Sequence, residues 1–266
     1  MNSCTAVLEN HLRRILLTTL AAVGMIWFSE SAATQADLPG LLSHPSSTSG
    51  TVSVNQLLSS DKSLRTVSRA REFLIDGHID KAQKEITKVL QASPNCALAF
   101  DIQGVIHLRA GNFDDAANEF QKTIDLDPTV GQAYVGLGII LMSRHRFKEA
   151  LVPLDRARSF LPTTWLVYFE SAIANLQLGD IQSTLKQVEY AEKLAADPEK
   201  RSATAYVRAL ISIKLRDFES ATRNMDETIK IDPAGSYAEL ARARIEQIKP
   251  LLQTGKKSLA ENKPQP

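Results

Sequence analysis

Proline recurs at Pro94, Pro128 and Pro162, an interval of 34 residues, and again at Pro198 and Pro233 after intervals of 36 and 35. The residues ahead of three of these prolines echo one another. GHIDKAQKEITKVLQASP ends at Pro94, GNFDDAANEFQKTIDLDP at Pro128 and HRFKEALVPLDRARSFLP at Pro162. An interval of this size marks one supersecondary unit used several times, and a single copy is too small to bury its own apolar face. The chain is therefore expected to fold as a stack of like units, each packed on the next.

The residues inside the interval explain the packing. With each terminal proline counted as position 32, position 8 is Ala70, Gly104, Gly138, Ala172 and Ala209, and position 20 is Ala82, Ala116, Ala150, Thr184 and Ala221. Small side chains at both places let two helices of one unit approach closely. Bulky residues surround that contact, such as Phe113, Phe147, Ile181 and Phe218 at position 17. Between the two helices stand Gly77, Gly111 and Gly179, suited to the left-handed conformation that ends a helix. The proline stops one unit and starts the next. Aromatic residues make up 6% of the chain, and glycine and proline number only 12 and 11, which speaks against an all-β fold.

The unit from Ala97 carries Phe100, Gly104, Ala116, Phe120 and Pro128, and the unit from Gly131 carries Tyr134, Leu137, Gly138, Ala150, Leu154, Ala157 and Pro162. These fall on the large–Leu–Gly, Ala, large, Ala and Pro positions of the tetratricopeptide repeat, which the segment resembles. The resemblance implies an all-α fold, a right-handed α-solenoid of about five helix pairs with a C-terminal capping helix. It places the solenoid over residues 61–254, with repeats at 63–94, 97–128, 131–162, 165–198 and 202–233 and the capping helix at 236–253. Leu137 and Ala150 are read as inter-helix packing residues. Two departures stand out. The fourth unit has Ala196 at the proline position and gains two residues before Pro198, which predicts a longer turn. Pro153 lies inside the second helix of the third unit, where it should kink the helix.

The ends differ from the middle. Arg13 and Arg14 precede an uncharged apolar run, Ile15 to Phe28, followed by the small residues Ser31 and Ala33. This is the pattern of a secretory signal peptide over residues 1–33, or of an uncleaved inner-membrane anchor at residues 15–28. The apolar run falls short of the roughly 20 residues that a spanning helix needs. An exported, periplasmic or secreted protein is expected. Residues 34–60 read as a Ser- and Pro-containing linker, and residues 255–266 as a disordered tail. Of the two cysteines, Cys96 alone survives cleavage and reads as a buried small residue.

No catalytic constellation appears. His11, His44, His78, His107 and His145 are scattered, with no metal-ligand spacing and no phosphate loop, so no enzyme activity, cofactor or metal is expected. With 31 Lys plus Arg against 30 Asp plus Glu the net charge is +1, which argues against nucleic acid or an anionic membrane as partner. A membrane link is expected only through an uncleaved N-terminal segment.

The resemblance implies that the first helix of each unit lines a concave face through positions 2, 5, 9, 12 and 13. The partner-binding candidates are Leu98, Asp101, Val105 and Arg109, then Val135, Ile139 and Met142, then Leu166, Phe169 and Ile173, then Tyr206 and Leu210. Family members that clamp a terminal carboxylate use Lys and Asn at positions 5 and 9. Val67/Arg71, Asp101/Val105, Val135/Ile139, Phe169/Ile173 and Tyr206/Leu210 stand there in this chain, so that clamp is absent. An apolar channel remains, open to a peptide or helix, or covered by the chain's own Leu41, Leu42, Val54, Leu57 and Leu58. The expectation is a non-catalytic scaffold or adaptor for another protein or peptide, in envelope assembly or secretion. Two alternatives are a holdase-like chaperone for exported proteins, and a regulatory protein binding an anion at the Arg144–His145–Arg146 turn.

Overall fold

The structure is a computed structural model and describes residues 61–261. The expected signal segment or anchor, the linker with its apolar residues, and the last five residues lie outside the described residues. Among the described residues there are helices and no strands. They run α1 Asp61–Ile75, α2 Ile79–Ala92, α3 Ala97–Arg109, α4 Phe113–Leu126, α5 Gly131–Ser143, α6 Phe147–Phe160, α7 Trp165–Leu178, α8 Ile181–Leu194, α9 Pro198–Lys214, α10 Phe218–Ile231 and α11 Ser236–Glu261. Each helix packs on the next, and the first helices of successive units also touch. The arrangement is a helical solenoid of five pairs, α1/α2 to α9/α10, with α11 against the last pair.

The small residues make the contacts expected of them. Ala70, Ala82, Ala116, Ala150, Ala172, Thr184, Ala209 and Ala221 have no exposed surface. The tightest joint is at Phe120, whose ring is fully buried. A Cβ added at Gly104 would lie 2.7 Å from that ring, and one at Gly136 would lie 2.3 Å from it. One aromatic side chain of α4 thus occupies the space left by two missing side chains, one on its own partner α3 and one on α5 of the next unit. Leu137 does not share this role. It is only half-buried and lines a surface groove. The packing contact at this point belongs to Gly138, where an added Cβ would lie 2.8 Å from the Leu154 side chain.

The turns follow from local chemistry. Gly77, Gly111 and Gly179 adopt φ of 76°, 77° and 81° between the helices of a pair. At the equivalent places in the third and fifth units His145 and Arg216 take φ of 58° and 59°. A Cβ at Gly179 would meet nothing within 4 Å, so Gly179→Ala isolates the backbone term. A loss of about 1–2 kcal/mol in urea unfolding is expected, and no loss would show that this turn tolerates an L side chain without strain. Between units, the Asp127 carboxylate accepts hydrogen bonds from the Thr129 N–H at 3.0 Å and from its hydroxyl at 2.7 Å. The hydroxyls of Tyr134 and Tyr168 donate to the carbonyls of Pro128 and Pro162, fixing the following first helix to the turn.

Two details differ from expectation, the length of α9 and the end of α11. The two residues inserted before Pro198 lengthen a helix, not a turn: α9 spans 17 residues with Pro198 at its first position. The Lys200 N–H donates to the Asp197 side chain at 2.9 Å, and a proline there lacks only an N–H that would be unpaired anyway. α6 keeps the 14-residue length of α4 with Pro153 inside it, so the proline removes one hydrogen bond without ending the helix. α11 continues to Glu261, beyond the expected end at Gln253.

Candidate functional site

The groove-facing positions of α1, α3, α5, α7 and α9 follow one another along the array because each first helix touches the next. Of the twelve partner-binding candidates, all but Leu98 and Arg109 are buried. Val105, Val135 and Leu166 are at most 1% exposed, and Ile139, Met142, Phe169, Ile173, Tyr206 and Leu210 lie below 10%. In this conformation the strip is closed to solvent, and it is apolar from the third unit to the fifth. Leu98 and Arg109, both half-buried, are its accessible edge.

At the fourth and fifth units the strip is aromatic. Phe169 stacks on Trp165 with ring centroids 4.5 Å apart, and meets Tyr237 of α11 edge-on at 6.2 Å. Tyr206 lies 5.9 Å from the same Tyr237. The last helix therefore does more than solvate the end of the stack, since it sets an aromatic ring against the groove-facing residues of α7 and α9. Trp165 is not among the groove candidates. Its signal in the sequence is its spacing, one helical turn before Phe169.

At the second unit the strip is polar. Asp101 is 1% exposed, and among the described residues neither of its carboxyl oxygens has a hydrogen-bond partner. Burial pushes its pKa up to about 7, against a smaller opposing pull from the Arg71 guanidinium on α1. Arg71 is itself buried, and its Nε lacks a partner. Arg109 donates through Nη1 to the carbonyl of Leu74, tying α3 to the end of α1, and burial lowers its pKa.

The remaining candidates lie apart from this face. In the Arg144–His145–Arg146 turn, Arg144 pairs with Asp114 at 2.5 Å, and Arg146 binds both carboxylate oxygens of Glu149. Both guanidinium groups are thus already satisfied by carboxylates, which counts against an anion site there. Cys96 is buried just before α3, with its thiol pKa raised chiefly by burial. Among the described residues no group of three or more His, Cys, Asp or Glu is placed to hold a metal ion, and no helix is long and apolar enough to cross a membrane.

A family model described as tetratricopeptide repeat matches residues 67–130 and 103–163. No curated protein matches the chain significantly. Among solved structures, MamA from Desulfovibrio magneticus RS-1 superposes with a TM-score of 0.53 at 17% identity, over 66% of this chain and 98% of that one. YrrB, described as a TPR protein with an unusual peptide-binding site, gives 0.51 at 19% identity over 69% and 94%. TTC0263, a thermophilic TPR protein of Thermus thermophilus, gives 0.51 at 18% over 70% and 97%. At these identities the likeness is one of fold.

Proposed function

We propose that this chain, a tetratricopeptide-repeat protein and so of a family built to bind other proteins, is a non-catalytic scaffold whose concave strip holds an apolar peptide or helix. The observation that carries the reading is the chemistry of the groove-facing positions. From Val105 through Val135, Ile139, Phe169 and Ile173 to Leu210 they are apolar in unit after unit, and the Lys and Asn that would clamp a terminal carboxylate are missing. Such a strip rewards apolar area and has little to offer a charged ligand. Its closed state means that a partner enters by parting the first helices or by displacing the aromatic contact of Tyr237. YrrB, of the same fold, is described as having a peptide-binding site, which supports a peptide as the class of ligand.

The N-terminal sequence supports export, and with it a place in envelope assembly or secretion. Cross-linking in the intact cell envelope tests both readings. A photo-reactive residue at half-buried Leu98 on the concave edge is compared with one at exposed Lys186 on a second helix. One discrete adduct from Leu98, absent from Lys186 and identified by its peptides as an envelope component, is the expected result. Identical adducts from both positions would remove the concave strip as the site, and a cytoplasmic partner would remove the envelope role.

A further inference from the structure

The third unit carries a second apolar surface, on the side of the array formed by the second helices. A groove of roughly 870 Å³ runs between α4 and α6 with α5 as its floor. The combination of apolar residues that lines it belongs to this unit. Leu137 stands where the other four units have Arg69, Gln103, Ser171 and Arg208, and Leu141 stands where they have Phe73, His107, Asn175 and Ser212. On the second helix, Val152 replaces Lys84, Asn118, Lys186 and Arg223 of the other four units. Pro153 replaces Glu85, Glu119, Gln187 and Asn224. In those units this side is held by polar pairs, such as Arg69 with Glu85, Arg208 with Glu192 and Asn224 with Ser212. Here Val152 is 72% exposed instead.

Drift toward the bulk composition of a surface gives polar residues. Three apolar replacements, Leu137, Val152 and Pro153, that converge with Leu141 on one groove describe a docking surface. We propose that this groove docks an amphipathic helix with an acidic flank, supplied by a partner protein.

The geometry selects a helix. Tyr134 on α5 and Arg144, which caps its C-terminus, lie at the two ends of the lining and are ten residues apart, so the floor is about 15 Å long and matches about three helical turns of a ligand. The walls are helices with their backbone groups paired internally. An extended peptide would find no ladder to join, whereas a helix brings its own hydrogen bonds and needs only apolar contact. Pro153 extends the apolar wall, because its ring replaces a side chain that is charged or polar in every other unit.

The rim selects the charge. Arg144 is paired with Asp114, Arg146 with Glu149, and Asp155 with Arg158. Among the described residues lining the groove, Arg156 is the guanidinium with no ion pair, and it lies over the Phe160 ring at 4.9 Å. A carboxylate on the ligand completes it. The occupant so defined has apolar residues at i, i+4 and i+7 and Asp or Glu on the flank facing Arg156.

The test uses the full chain and a displayed library of random 16-residue peptides, counter-selected against the Val152→Asp variant. Val152 and Arg156 are both exposed, so the variants keep the fold, which far-ultraviolet circular dichroism checks. The expected result is a consensus with the stated apolar spacing and an acidic flank. A synthetic peptide of that consensus should bind about tenfold more weakly to Val152→Asp and to Arg156→Glu, and equally well to Leu98→Ala on the concave edge. No peptide that depends on Val152, or a consensus without acidic residues that is indifferent to Arg156→Glu, would overturn the proposal. A dimer in light scattering that Val152→Asp dissolves would assign the groove to a second copy of the chain and overturn it likewise. Loss of binding in Leu98→Ala alone would return the ligand to the concave strip.

Discussion

Phe120→Ala is expected to cost about 3–5 kcal/mol in urea unfolding, the range for emptying a fully buried aromatic site. The reason is the position of the ring as much as its size. Gly104 and Gly136 lack a Cβ where the ring lies, so the ring fills space on both sides and joins α4 to its own partner and to the next unit. In a linear array each unit is stabilised largely by its neighbours, and the lost contact weakens the second and third units together. The reciprocal change is Gly136→Ala, which sets a methyl group 2.3 Å from the ring and should also destabilise, by the about 1–3 kcal/mol of overpacking. A Phe120→Ala loss below about 1 kcal/mol would mean that the helices close over the cavity, and that the glycines are not what holds them together.

Asp101→Asn is expected to change how stability depends on pH. In the unfolded chain this carboxyl titrates near 3.8, and in the folded chain near 7. Between those values the folded state holds the extra proton, so this group makes stability fall as pH rises from about 4 to about 7 and leaves it level above. The full effect is up to about 4 kcal/mol, at 1.36 kcal/mol per pKa unit. The facing charge is Arg71 on α1, and the groove-facing residues of α5, Gln132, Val135 and Ile139, carry none. One opposing charge against full burial leaves burial dominant. Asn removes the ionisation and keeps the shape, so the variant should be more stable than the parent at pH 8 and nearly equal to it at pH 4. Thermal melts across that interval read the difference. A parent whose stability stays constant from pH 4 to pH 8, matched by the variant, would show that Asp101 keeps an ordinary carboxylate pKa.

The repeat, the two-helix unit and its boundaries are legible in the sequence because each depends on residues close to one another along the chain. Small residues at positions 8 and 20 allow a close crossing wherever they occur, and Gly77, Gly111 and Gly179 mark a left-handed turn by their lack of a Cβ. The insertion before Pro198 is less legible. An added residue can extend either a turn or a helix, and the choice rests on Asp197 being placed to receive the Lys200 N–H. Leu137 reads as a packing residue because it stands next to Gly138, yet its neighbour takes the contact with Leu154 and leaves Leu137 on the groove. Val152 and Pro153 look like drift within their own unit, and gain meaning only beside Leu137 and Leu141 from another helix.

The sequence by itself therefore determined the unit of construction and the direction in which each side chain leaves its helix, both set by interactions within a single turn or pair of turns. The tertiary structure decided how far each side chain is closed off from water. Asp101, 1% exposed, and Val152, 72% exposed, each follow from the spacing between successive units. That spacing is a sum of contacts such as Phe120 against Gly136, made between residues of different units, and no residue encodes it alone.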